Sequence, residues 1–169
     1  MDQNPNPHSR GGKIMLMIAW VLIMGGLYWY FSDWQARDAN PNPASVIDVQ
    51  RGDLTLTRSR AGHYVADGEI NGRRATFLLD TGATWVAVPL SLGRELGLKC
   101  GAAVTLQTAN GASEGCQTRL ARVRLGPLEL ADVGAVMAGG LEPGVVLLGM
   151  SFLKRVEFTQ RGDQLILRQ

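Results

Sequence analysis

Ile14 to Phe31, IMLMIAWVLIMGGLYWYF, is an 18-residue run without a charged side chain. As a helix at about 1.5 Å per residue it spans roughly 27 Å, close to the hydrocarbon core of a bilayer. Nothing polar marks a second face, so it does not read as the core helix of a soluble domain. Trp29, Tyr30 and Trp34 cluster at its far end, where interfacial aromatics sit. A cleaved signal peptide is the competing reading. The run is long for an h-region and no small-x-small site follows it directly, so it reads as an uncleaved anchor. Arg10 and Lys13 precede it, and Asp33, Arg37 and Asp38 follow. The positive-inside rule puts the N-terminus in the cytoplasm. The bulk of the chain then lies on the periplasmic or extracytoplasmic side of an inner (plasma) membrane.

This run divides the chain. Residues 1–13 read as a cytoplasmic tail, 14–31 as the transmembrane helix, 32–44 as a linker and 45–169 as one folded domain. Asn-Pro-Asn-Pro occurs at Asn4–Pro7 and at Asn40–Pro43, once on each side of the helix, and proline there makes a short stiff spacer. The formal net charge is +2, with both signs interspersed and no basic block, which excludes nucleic acid as an expected partner.

The domain reads as many short strands. Val46–Gln50 leads through Arg-Gly-Asp into Leu54–Ser59. Residues 63–70 and 73–80 flank Asn71-Gly72, a strong hairpin signal, with alternation at Ala75, Phe77 and Leu79. Thr84–Pro89 is a further strand. Ala103–Thr108 and Gln117–Leu125 enclose a long hairpin with Asn110-Gly111 at or near its tip. Three strand candidates follow, at residues 132–138, 144–149 and 156–168. Only residues 91–96 and 150–156 look helical, and both are short. This pattern predicts an all-β barrel or closed sandwich with one or two short helices, preceded by one transmembrane helix. The two Arg-Gly-Asp triplets, at residues 51–53 and 161–163, fall where hairpin turns are expected and read as turns.

An exported domain sits in an oxidising compartment, where Cys100 and Cys116 can pair. The bridge would close a loop of about 15 residues, worth about 3 kcal/mol on the chain-entropy model. Two separate buried thiols is the other reading. Their spacing fits no zinc pattern, so no metal and no cofactor are expected.

Candidate chemistry narrows quickly. A Ser-His-Asp or Cys-His site needs a histidine base, and the domain has only His63, in an expected turn. No phosphate loop or dinucleotide fingerprint is present. Catalysis therefore has to come from carboxylates. Asp80 is the strongest of these. It ends an apolar strand in Phe77–Pro89, FLLDTGATWVAVP, where an isolated carboxylate is expensive to bury. Thr81, Gly82, Ala83 and Thr84 follow it. Gly82 clears space for a substrate or another backbone, and Thr81 can hydrogen-bond its own loop or a facing copy.

LLDTGATWVAVP resembles the active-site segment of retropepsin-like aspartic proteases, especially their membrane-anchored bacterial members. The hairpin TLQTANGASEG lies where that family has its flap. VVLLGMSFL resembles the family's two-apolars-then-glycine segment, which crosses behind the catalytic loop. The resemblance covers nearly all of 45–169. It implies a retropepsin-like acid-protease barrel and an aspartic endopeptidase acting on peptide or protein substrates. Asp80 is then catalytic, and a second Asp80 comes from another copy in a twofold homodimer. Thr108, Ala109, Asn110 and Gly111 would be the flap over the substrate. Leu147, Leu148 and Gly149 would be structural, Gly149 allowing close passage behind Asp80.

Two departures stand out. Viral members carry acidic residues where this chain has Thr84 and Trp85, and an arginine where it has Met150. The acid–arginine network that braces the viral dimer is therefore missing. Thr84 looks more like the hydroxyl residue of two-lobed pepsins, which bonds the catalytic loop. The alternative function is a non-catalytic peptide-binding or scaffold module of the same fold at the membrane.

Overall fold

The computed structural model describes residues 8–43, 48–50, 52–108 and 111–169. The chain divides into two compact units, residues 1–38 and 39–169. The first contains all but the last residue of the helix α1 (His8–Ala39). It extends past the charge-free run at both ends, and Gly12–Gln35 is long and apolar enough to cross a membrane. A signal sequence meets the same criterion.

The second unit is mostly β. Strands β1 (Asp48–Gln50) and β2 (Asp53–Thr57) form the first hairpin. Strands β3 (Val65–Ile70) and β4 (Arg73–Leu79) form the second, with Ile70 opposite Arg73. Its turn is Asn71-Gly72, with φ of 52° and 81°. Both residues are left-handed, which matches the twist of a two-residue hairpin. Then come β5 (Val86–Pro89), α2 (Leu90–Glu95), β6 (Ala103–Thr108), β7 (Gly111–Leu125), β8 (Leu128–Ala138), β9 (Val145–Leu148), α3 (Met150–Leu153), β10 (Glu157–Arg161) and β11 (Gln164–Arg168). Among the described residues this matches the expected all-β class with two short helices after an apolar one.

Six strands close into a barrel in the order β3-β4-β9-β5-β8-β7, and β7 pairs back to β3. The closure is tight at Gly68, where an added Cβ would lie 2.3 Å from the Arg124 carbonyl and 2.9 Å from the Phe77 ring. Strand β6 continues past the barrel as a hairpin with β7. The remaining four strands form a separate antiparallel sheet, β1-β2-β11-β10. The core joins both sheets and includes Leu54, Leu56, Phe77, Val86, Leu120, Val146, Leu148, Phe152 and Leu167.

The segment read as linker holds a structural residue. Asn42 is buried and makes three bonds with its side chain. Its amide donates to the carbonyls of Thr57 (2.7 Å) and Val65 (2.9 Å), and its carbonyl oxygen accepts the Thr57 N–H (2.7 Å). It ties the end of β2 to the start of β3, joining the two sheets. Asn42→Ala removes all three and leaves backbone groups unpaired, an expected cost of about 3 kcal/mol. A urea titration would read this as a lower midpoint with unchanged slope. An unchanged midpoint would show that water replaces the amide freely.

Candidate active site

Asp80 follows the last residue of β4. That strand runs parallel to β9, with Leu79 opposite Leu148. The ladder continues one step further, because the Asp80 N–H donates to the Leu148 carbonyl at 3.2 Å. The backbone then turns sharply, and Ala83 N–H donates back to the Asp80 carbonyl at 3.3 Å. Gly82 N–H donates to Asp80 Oδ1 at 2.9 Å. The carboxylate is thus half-buried and oriented by the loop that follows it. Thr81, Gly82 and Thr84 are exposed, and Ala83 is half-buried.

The segment behind the loop fixes it in place. Met150 N–H donates to the Ala83 carbonyl (2.7 Å) and Ser151 N–H to the Thr84 carbonyl (2.9 Å). Gly149 passes so close that an added Cβ would sit 2.3 Å from the Trp85 carbonyl oxygen and 2.6 Å from that of Ala83. Leu148 is fully buried and Leu147 pairs with Ala87 of β5. The strands therefore bring Asp80 through Thr84 and Leu147 through Gly149 together.

One residue of this brace escapes sequence reasoning. The buried Ser151 accepts the Val86 N–H on its Oγ at 2.9 Å, fixing the exit of the loop. Thr84 is the hydroxyl that the sequence suggests here, but its side chain is exposed and its carbonyl makes the bond to α3. A polar residue inside the apolar LLGMSFL segment is the available signal. Ser151→Ala leaves the Val86 N–H buried and unpaired, which should cost about 2 kcal/mol. The check is a thermal melt against Ser151→Thr. Equal melting of the alanine variant and wild type would remove Ser151 from the brace.

The β6–β7 hairpin pairs residue by residue from Ala103 opposite Cys116 to Thr108 opposite Gly111. Ala109 and Asn110, the expected flap tip, lie outside the described residues. Cys100 and Cys116 are disulfide-bonded, with Cα atoms 5.5 Å apart. The bond ties the loop after α2 to the base of the hairpin. Beside it lies a concavity of about 330 Å³ that includes Trp85, Lys99, Gln117, Arg119 and Gly134. The Trp85 ring lies on Gly134, where a Cβ would be 2.7 Å from the indole. Arg119 pairs with Asp132 and, through that hydrogen bond, holds its carboxyl below the usual range.

A protein family described as gag-polyprotein putative aspartyl protease matches residues 66–155, more than half of the chain. An uncharacterized protein of the cobV 5′ region in a Sinorhizobium species is 31% identical over 165 residues, covering 92% of this chain and 71% of the relative. An uncharacterized protein of Rickettsia prowazekii is 32% identical over 129 residues. That match covers 74% of this chain and 55% of the relative. The fold is similar to the crystal structure of a retropepsin-like aspartic protease from Rickettsia conorii, with TM-score 0.56 and 28% identity. The match covers 68% of this chain and 89% of that one.

Proposed function

We propose, from the premise that the chain belongs to the retropepsin-like aspartyl protease family, that it is an aspartic endopeptidase anchored in a membrane and active as a homodimer. The observation that carries this is the seating of Asp80. Its N–H bonds Leu148, its Oδ1 takes the Gly82 N–H, and Gly149 packs directly behind its loop.

One chain supplies one such carboxylate, so a twofold partner supplies the second. Two carboxylates held close do not both ionise, and they share one proton. The ionised member takes a proton from a lodged water, which attacks the peptide carbonyl. The protonated member donates to the carbonyl oxygen and later assists departure of the amine. The hairpin ending at Thr108, Ala109, Asn110 and Gly111 closes over the extended substrate and bonds its backbone.

In this reading residues 14–31 span the inner (plasma) membrane, and the domain from about 45 to 169 works on its periplasmic or extracytoplasmic face. The anchor confines two copies to one surface and raises their effective concentration. That offsets the absence of the acid–arginine brace. The test is hydrolysis of a mixed peptide library by the full-length chain in detergent, across acidic to neutral pH, beside its Asp80→Asn variant. Equal cleavage by both would overturn the reading. Peptide binding without cleavage by the wild type would replace it with a non-catalytic binding module.

A further inference from the structure

The Cys100–Cys116 bridge has one open side. Cys116, on β7, is only 4% exposed. Cys100 is exposed and forms part of the wall of the concavity beside Trp85. Lys99 and Arg119 line the same concavity. A thiolate drawn in by these cations therefore meets the sulfur of Cys100, while that of Cys116 is shielded. Exposed bridges are the labile and regulatory ones, because exchange depends on which sulfur can be reached.

The bridge also sits at a mechanical junction. Cys116 pairs with Ala103 of β6 on one side and with Met137 of β8 on the other. Pairing of β7 with β8 starts just beyond it, at Gly115 opposite Ala138. Residues 105–108 and 111–114 reach past that point. They are held from the side at Gly139, whose carbonyl accepts Ser113 Oγ at 2.9 Å and whose N–H donates to the Glu114 carbonyl at 3.5 Å. Two backbone bonds cross the same junction as the bridge. Gly101 N–H donates to the Gln117 carbonyl and Gln117 N–H to the Ala102 carbonyl, each at 2.8 Å. Opening the bridge therefore loosens the base of the hairpin without detaching it. The bonds that seat Asp80 run through Leu148, Gly82 and Met150 and do not involve this junction.

We propose that Cys100–Cys116 is a redox switch that sets the stiffness of the β6–β7 hairpin, opened by a dithiol reductant that enters through the concavity. One thiolate of the dithiol attacks Cys100 Sγ. The S–S bond breaks and its electron pair leaves on Cys116 Sγ, which takes a proton because a buried thiolate is costly. The second thiol of the reductant then attacks the reductant sulfur bound to Cys100. This closes the reductant's own disulfide and releases Cys100, which takes the second proton. The bridge gains two electrons and two protons, and the dithiol loses them. As a control of proteolysis this rests on the endopeptidase reading above. The reduced hairpin holds an extended peptide less firmly, while the Asp80 loop keeps its bonds.

The test uses the full-length chain in detergent, treated with dithiothreitol without denaturant. Alkylation followed by a mass measurement should show both cysteines opened in a chain that is still folded. Amide exchange in residues 103–108 and 111–116 should accelerate about ten-fold, with residues 73–80 and 145–151 unchanged. A double variant, Cys100→Ser with Cys116→Ser, should show the fast exchange from the outset and ignore the reductant. Lys99→Gln should slow opening several-fold, and an unchanged rate would overturn the concavity as the point of entry. A bridge that opens only in denaturant overturns the proposal. So does exchange that rises equally throughout the domain, the mark of a plain structural staple. Peptide cleavage is read on the same samples. Reduction should raise KM about five-fold with kcat little changed. Cleavage indifferent to reduction overturns the switch and leaves the protease reading standing. Selective hairpin exchange without cleavage by either form overturns the protease reading and leaves the switch standing.

Discussion

An Asp80→Asn chain is expected to lose peptide hydrolysis by about 10⁴-fold while melting within a degree or two of the wild type. The two halves of that expectation have separate causes. The fold holds the loop through backbone bonds: Asp80 N–H to Leu148, Ala83 N–H to Asp80, and Met150 N–H to Ala83. Asparagine keeps all of these. It also keeps an oxygen that can accept the Gly82 N–H now bonded to Oδ1. An amide, however, neither takes a proton from water nor donates one as an acid at this position. General acid–base catalysis typically contributes 10²–10⁴-fold, and in the proposed homodimer this substitution removes both roles because both carboxylates are lost. Mixed dimers sharpen the test. Titrating wild-type chain with excess Asp80→Asn chain should reduce cleavage in proportion to the homodimer left, because a site with one carboxylate and one amide lacks one of the two groups. Activity that tracks total wild-type chain, whatever the variant excess, would mean that a single Asp80 suffices. The shared-proton mechanism would then fail.

Much of this fold is visible in the chain because its turns are chemically explicit. Asn71-Gly72 demands two left-handed residues, and the hairpin it predicts is present with Ile70 opposite Arg73. Alternation at Ala75, Phe77 and Leu79 marks β4. Its buried members are Ala75 and Phe77, and Leu79 lies half-open beside Asp80. What cannot be read are pairings between strands remote in sequence. Nothing local in Val145–Leu148 says that it runs parallel to β4 and touches β5 on its other side. Gly68 looks like an ordinary strand residue, yet the barrel closes against it. Asn42 looks like spacer because Asn-Pro repeats suit spacers, and its three backbone partners are 15 to 23 residues away. Ser151 is obscure for a related reason. A hydroxyl is weak evidence until the N–H it satisfies, here Val86, is known to be buried beside it. Asp80 itself is legible because a carboxylate among apolar residues is a local anomaly.

Gly149→Ala is expected to be the most damaging single-methyl change in the domain. The added Cβ would meet the Trp85 carbonyl oxygen at 2.3 Å and the Ala83 carbonyl oxygen at 2.6 Å. Both obstacles are backbone, so no rotamer change relieves them. Gly149 has an ordinary φ of −85°, so the penalty is crowding and not backbone strain. Relief requires β9 and the Asp80 loop to move apart. That movement weakens Met150 N–H to Ala83 and Ser151 N–H to Thr84, the bonds that seat the loop. Overpacking a well-filled site typically costs 1–3 kcal/mol, and with these bonds added about 4 kcal/mol is expected. Against a total stability of about 5–15 kcal/mol, a large share of the fold is lost. Gly139→Ala is the matched control. Its Cβ would meet only Leu90 Cδ1, at 3.7 Å, an ordinary contact. Urea midpoints of the two variants, followed by tryptophan fluorescence, should differ several-fold in their shift from wild type. Any cleavage left in Gly149→Ala should fall by about a further hundred-fold per folded molecule, since a 1 Å displacement of a catalytic group costs about that much. Matching midpoints would mean the loop and β9 separate freely, and the brace behind Asp80 would no longer explain its placement.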